Sequence, residues 1–188
     1  MSLTLIAPPA LEPVSLARIK AHLRIDHALE DALISAYITA ARMHVEASLS
    51  KILIEQEWRI NFDYLPIGET IELPLAPIIA VNVVSYFPEQ GGPIGISAFD
   101  YAADLDSDIA RFCLRRAASE RRKFGGYEIE VTAGYGPAAE DVPGDITQAI
   151  TLLVAHWYEH REAASSILRD AMPHGVKALL NFHRRVRL

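Results

Sequence analysis

Two histidines and a glutamate, His156, Glu159 and His160, stand in the spacing H-x-x-E-H near the end of a long apolar run. On a helix this spacing can set both imidazoles on one face as zinc ligands beside a carboxylate acting as general base, so the chemistry it would support is metal-assisted hydrolysis. A catalytic zinc needs a third protein ligand, and the sequence marks none. Trp157 shares a helical apolar stripe with Ile146, Ile150 and Leu153, so the two histidines flank a face that is expected to be buried. The preferred reading is therefore a structural helix. A small zinc-dependent hydrolase built on His156, Glu159 and His160 is the alternative.

Other patterns offer less chemistry. Gly125-Gly126-Tyr127 and Gly134-Tyr135-Gly136-Pro137 lack both the Lys-Ser/Thr of a P-loop and the G-x-G-x-x-G that precedes a nucleotide-binding helix, so they read as turns at strand ends. Arg115-Arg116 and Arg121-Arg122-Lys123 form a basic cluster that could meet nucleic-acid phosphate. Glu120 interrupts it and no aromatic is interleaved, which favours an exposed loop. Ser15, Ser35, Ser50 and the single cysteine, Cys113, have no base partner at a readable spacing. No enzyme activity is expected.

The segment from His174 to Leu188 contains no acid and carries Lys177, Arg184, Arg185 and Arg187, a formal +4 in a chain of -6, which leaves -10 for the preceding residues. A small basic end on an acidic body suggests that the two meet different surroundings, and the end reads as a docking element. Its arginines suit bidentate bonds to carboxylates in an acidic groove of a partner.

A chain of 188 residues, 51% hydrophobic and 22% charged, fits one globular domain with an insertion. One cysteine excludes an internal disulfide. No apolar run approaches the roughly 20 residues of a membrane helix, and the start lacks a signal-peptide pattern, so a soluble protein made in the cytoplasm is expected.

Helical spacing of Leu16, Ile19 and Leu23 after Ser15 predicts a short helix over about 15 to 24 with Ser15 as N-cap. A longer helix is expected from about 27 to 49 behind Asp26, with Glu30 and Asp31 near its positive end and a length of roughly 35 Å. Its apolar positions form more than one stripe, so Leu33, Ile34, Tyr37, Ile38 and Val45 become candidates for contact with a neighbouring subunit. From about 55 to 137 the period turns to two, as in Glu57 to Asp63 and Tyr127 to Val131, with shorter strands expected at 70 to 73, 81 to 87 and 111 to 114. Asp145 and Gln148 stand at capping-box spacing at the start of a helix that should run to about 162, and Val176, Leu179 and Leu180 suggest a last short helix. The fold class is α+β. A helical core from the N- and C-terminal helices (13 to 54 and 142 to 183) carries a β-rich insertion (about 55 to 137) and ends in an extended tail (about 174 to 188), read together as one domain.

The order of segments Pro13-Val14-Ser15-Leu16, Lys20 to Asp26 with its Leu-Arg-Ile-Asp, Ile60 to Pro66, Ile71 to Pro74, Ala133 to Gly136, Ala155 to Glu162 with its His-Trp-Tyr-Glu, and Gly175 to Arg187 resembles the head-tail connector, or adaptor, proteins of long-tailed bacteriophages, prophages and gene transfer agents. The likeness covers nearly the whole chain. It implies a structural protein that forms a ring of about twelve copies under the portal protein of a DNA-filled head. Such a ring sits at the head-tail junction of a virion or phage-like particle, meets a tail-side stopper or terminator protein, and surrounds DNA that passes without sequence-specific binding. It implies no cofactor, no metal and no membrane contact. Portal contact carries over to Phe182, Arg184, Arg185, Val186, Arg187 and Leu188. Pro173-His174-Gly175-Val176 and Asn181-Phe182-His183-Arg184 depart from the Pro-Phe-Gly-Val-like and Pro-Tyr-Arg-like elements of similar chains. A ring member needs two complementary faces, and an acidic body facing a channel would repel phosphate.

Overall fold

The computed structural model describes residues 1–107, 109–116, 120–160 and 172–184. The chain divides into two compact units: Met1–Ala10 with Glu55–Pro137, and Leu11–Ile54 with Ala138–Leu188. The first is built of strands and the second of helices, so the fold is mixed α+β.

The strand unit contains a five-stranded antiparallel sheet in the order β1-β2-β8-β4-β5, made of β1 (Ser2–Ala7), β2 (Gln56–Phe62), β8 (Tyr127–Ala133), β4 (Ile78–Tyr86) and β5 (Ile94–Gly95). A second sheet has the order β3-β7-β6, from β3 (Thr70–Glu72), β7 (Arg111–Leu114) and β6 (Tyr101–Asp104). The alternation that marks β2 and β8 in sequence has a direct physical reading. Tyr127, Ile129, Val131 and Ala133 are all buried, while Glu128, Glu130 and Thr132 on the opposite face are half-buried. In register, Ile60 lies opposite Ile129 and Phe62 opposite Tyr127 on the buried face, and Arg59 lies opposite Glu130 on the other. Arg59 Nη2 donates to Glu130 at 2.7 Å and its Nε lies 3.3 Å from Glu128, a cross-strand ion pair that holds the register on the polar face.

Three strands are absent from the sequence reading. β1 pairs with β2, Leu3 opposite Ile60 and Leu5 opposite Trp58, across a separation of more than 50 residues. β5 and β6 have two and four residues, too short for a period to declare itself.

The helical unit holds α1 (Leu16–Leu23), α2 (Asp31–Leu49), α3 (Gly144–Glu159) and α4 (His174–Asn181). Ser15 caps α1 as expected: its hydroxyl accepts from the Arg18 backbone N–H at 3.2 Å. α2 begins at Asp31 and not near 27, and Asp26 does not cap it. The reason is local. Arg24 closes α1 in a left-handed conformation with φ 58°, and the following residues turn until Lys20 Nζ fixes Asp31 at 2.6 Å. With 19 residues α2 is about 28 Å long, shorter than the rod expected from sequence. α3 starts behind Pro143 without the capping box: Asp145 accepts from the adjacent Ile146 N–H and not from Gln148. It ends at Glu159 with His160 as C-cap, and residues 161 and 162 of the expected span lie outside the described residues.

The core of this unit is formed by Ile19, Ile34, Ile38, Ala41, Val45, Ile146, Ile150, Leu153 and Val154, all buried. Burying a side chain of this kind stabilises the fold by about 1.5–3 kcal/mol.

Candidate assembly interface

The C-terminal segment is built outward from α3. Val176 and Leu180 of α4 are fully buried at helical spacing, so α4 is pinned by its apolar face. At its end His183 donates from Nε2 to Asp145 Oδ2 at 2.6 Å, tying the last described turn to the start of α3. Burial pushes the Asp145 carboxyl up, but the His183 bond and charge and the Ile146 N–H outweigh it and hold Asp145 below its ordinary value. Asp145 therefore serves the base of the segment and not a capping box. On either side of this tether Phe182 is 86% exposed and Arg184 is exposed as well. Arg185, Val186, Arg187 and Leu188 lie outside the described residues. A large exposed aromatic followed by arginines is the composition of a contact surface.

On α2 the five residues expected at a subunit contact separate into two groups. Ile34, Ile38 and Val45 are buried in the chain's own helical core, which corrects their assignment: a side chain without accessible surface cannot meet a neighbour. Leu33 is exposed and Tyr37 half-exposed, and these two remain on the outside. The second stripe of α2 is explained in part by Trp157 of α3, whose ring meets Tyr37 edge-on at 6.3 Å and His44 at 6.1 Å.

The same helix carries a buried ionic network that sequence reasoning missed. Arg42 is buried, with Nε donating to Glu12 Oε2 at 2.8 Å and Nη1 to Glu46 Oε2 at 2.7 Å. Thr39 adds a hydroxyl to Glu12 at 2.8 Å, and Glu46 accepts the Leu53 N–H at 3.0 Å. Burial raises the Glu46 carboxyl above its ordinary value, against the opposing pull of the Leu53 N–H and the Arg42 charge. The Arg42 to Glu46 spacing is legible as i,i+4, but Glu12 is 30 positions away and gives no local signal.

Among the described residues the H-x-x-E-H side chains meet no third ligand that would complete a metal centre. The rings of His156 and His160 lie tilted against each other with centroids 4.4 Å apart, Glu159 is exposed, and His160 Nδ1 lies 2.9 Å from the His156 carbonyl of its own helix. No group of three or more His, Cys, Asp or Glu side chains able to hold a metal occurs among the described residues. Tyr158, from the same segment, instead donates its hydroxyl to Glu30, joining α3 to the turn before α2.

The basic cluster has aromatic partners that its own stretch of sequence does not contain. Arg121 lies over Tyr64 at 5.1 Å and Tyr127 at 5.5 Å, and Arg122 over Phe87 at 3.9 Å, all contributed by other segments of the strand unit. Gly125, with φ +58°, donates its N–H to Asp63 at 2.7 Å, and Gly126 is pressed against the carbonyl oxygens of Arg122 and Asp63. These glycines thus face acceptors, an arrangement that closes a turn and would not cradle phosphate.

Among curated proteins no sequence matches the chain significantly. Residues 13–86 match the model of the phage gp6-like head-tail connector protein family. Fold similarity extends over the whole molecule. A chain in the neck of an empty GTA particle computed with C6 symmetry superposes with a TM-score of 0.83 at 29% identity, covering 100% of this chain and 97% of that one. By this match over residues 13–86 and by this fold over the whole chain, the protein is similar to the head-tail connectors. Chains from the virion of a native gene transfer agent particle (TM-score 0.79, 28% identity) and from a native GTA neck computed with C12 symmetry (TM-score 0.77, 27% identity) are similar over the same shares, 100% of this chain and 97% of each of theirs.

Proposed function

We propose that this chain is a structural connector that joins the DNA-filled head of a phage or gene transfer agent particle to its tail, at the head-tail junction. The observation that carries the reading is the end-to-end match in fold to a chain of a gene transfer agent neck, with nothing of substance left over in either partner. The role is assembly and not catalysis. A ring of about twelve copies is supported by the C12 symmetry of a similar neck.

Within such a ring the exposed Leu33 and Tyr37 of α2 serve neighbouring copies. Phe182 and Arg184, projecting from a helix whose own packing is satisfied, lead the contact with the portal protein, and Arg185, Val186, Arg187 and Leu188 continue it. DNA passes through the ring without being read, in keeping with a net charge of -10 outside the basic segment.

Native mass spectrometry of the purified chain with the portal protein of its own particle tests this, once intact and once lacking residues 184 to 188. The expected result is a complex of about twelve copies that binds the portal intact and loses it on truncation. A chain that stays monomeric with and without the portal would overturn the reading.

A further inference from the structure

We propose that neighbouring copies in the ring are joined through a continued β-sheet, with β1 of one copy adding antiparallel to the outer edge of β4 in the next. The inference rests on the ring reading above and adds the surface that builds the ring.

Both edges of the five-stranded sheet are open and apolar. β1 ends the sheet, and its sequence Ser-Leu-Thr-Leu-Ile-Ala holds no charge; Leu3, Leu5 and Ile6 are 41%, 43% and 41% exposed. At the opposite side β5 pairs only with Ser85 and Tyr86, and the Ile96 N–H reaches Val84 O, so among the described residues no strand lies beside the stretch Ile78 to Val83. That stretch, Ile-Ile-Ala-Val-Asn-Val, is also free of charge, with Ile79 and Val83 exposed. Isolated edges of this kind are normally blunted by lysine, proline or inward charge, because a row of unpaired backbone groups beside apolar side chains recruits another strand. Here neither edge carries a charge or a proline along its length, although each holds a bulge, and Pro8 and Pro9 follow β1 only after it ends.

The two edges fit one another by direction and by length. β1 runs antiparallel to β2, β2 to β8 and β8 to β4, so β1 and β4 point in opposite senses. A copy related by rotation about a ring axis brings its β1 beside this β4 with the strands still antiparallel, and each edge offers six positions, 2 to 7 and 78 to 83. The contact is heterologous, as ring closure requires, whereas β1 pairing with a second β1 would close a two-fold dimer. Register shifts between Ile78 and Ala80 and between Val81 and Val83 bend β4, and bulges of this sort are how a sheet acquires the curvature that continuation around a ring demands.

Disulfide trapping tests the proposal, because the chain has one native cysteine to remove. In a Cys113→Ser background, Val81→Cys is paired in turn with Leu3→Cys and with Leu5→Cys, residues on the same sheet face, and the full-length chain is oxidised alone and with the portal protein. The expected result for at least one pair is a ladder of covalent multimers that collapses on reduction, with no ladder from the single-cysteine controls. Leu3→Lys with Leu5→Lys, both exposed, should keep the far-ultraviolet circular dichroism of the intact chain and weaken ring assembly at least tenfold. Rings of normal copy number without trapping, or with both lysines tolerated, overturn the sheet contact and leave the connector role standing. Covalent products that stop at dimers in Leu5→Cys alone point to β1 against β1 and overturn it too. Failure to form any multimer under either condition overturns the ring reading and this inference with it.

Discussion

Replacing Arg42 by Met should unfold the helical unit at far lower denaturant while leaving the apolar packing filled. Arg42 has a side chain 8% exposed and stands between Glu12 and Glu46, whose side chains are 28% and 11% exposed. Removing one partner of a buried pair typically costs 3–5 kcal/mol, because the remaining charge stays buried without compensation. Glu12 reaches water in part and Glu46 keeps the Leu53 N–H, so the expected loss here is about 2–4 kcal/mol at pH 7. With a urea slope of about 1–3 kcal/mol per molar, the midpoint falls by about 0.7–4 M. The assay is Trp157 fluorescence in a Trp58→Phe background, since each unit holds one of the two tryptophans and the signal then comes from the helical unit. The pH dependence follows from Glu46. Its folded carboxyl sits above the ordinary value, so the folded state binds the proton more tightly, and stability falls as pH rises from the ordinary value through the folded one. Loss of Arg42 removes a lowering influence and moves that window further up, so the deficit of the variant should be smaller at pH 5 than at pH 7. Adding Glu12→Gln and Glu46→Gln to Arg42→Met should restore most of the loss. A midpoint shift below about 0.3 M for Arg42→Met at pH 7 would refute the reasoning.

Further expectations concern the C-terminal segment and the strand unit. Leu180→Ala, at a fully buried position, should cost about 2–5 kcal/mol locally and raise hydrogen exchange in α4 before the rest of the unit. His183→Ala should return Asp145 toward its ordinary carboxylate value; in the intact chain the tether is present above that value and lost as pH falls through the lowered one, as carbon-13 NMR of Asp145 will report. Asp104, held at about 2 first by its Arg111 hydrogen bond and then by Ser107, should climb toward 3.8 in Arg111→Ala in the same experiment. Phe182→Ala, at an exposed position, should leave the unfolding midpoint unchanged and weaken portal binding at least tenfold.

What could be read from the sequence was what is local and periodic. The Ser15 cap needs three residues of context, and the alternation of β2 and β8 survives because a sheet with one buried face imposes a strict period on both. The start of α2 was misread because Asp26, Glu30 and Asp31 all look like first-turn acids, and only the Lys20 partner selects among them. Asp145 misled for the same reason: an acid at a helix start suggests a cap, and the histidine that claims it is 38 positions downstream. Arg42 and the aromatics under Arg121 and Arg122 were beyond reach, since their partners come from distant segments. β1 did carry a usable signal, the alternation of Ser2, Leu3, Thr4 and Leu5, but its side chains remain exposed and its partner strand lies 50 residues on.

That last feature bears on how such a chain works. An apolar strand left open on a monomer is a liability, and Ile34, Ile38 and Val45 show that this sequence buries apolar side chains where the chain itself can cover them. Among the apolar groups it leaves outside are Leu3 and Leu5 at one sheet edge, Ile79 and Val83 at the other, Leu33 on α2, and Phe182 next to the His183 tether. They sit on separate elements, each of which is held by contacts of its own. On the proposed reading, such a monomer has these surfaces formed before any partner arrives, so little ordering entropy need be lost on association and the joints can be tight without large area.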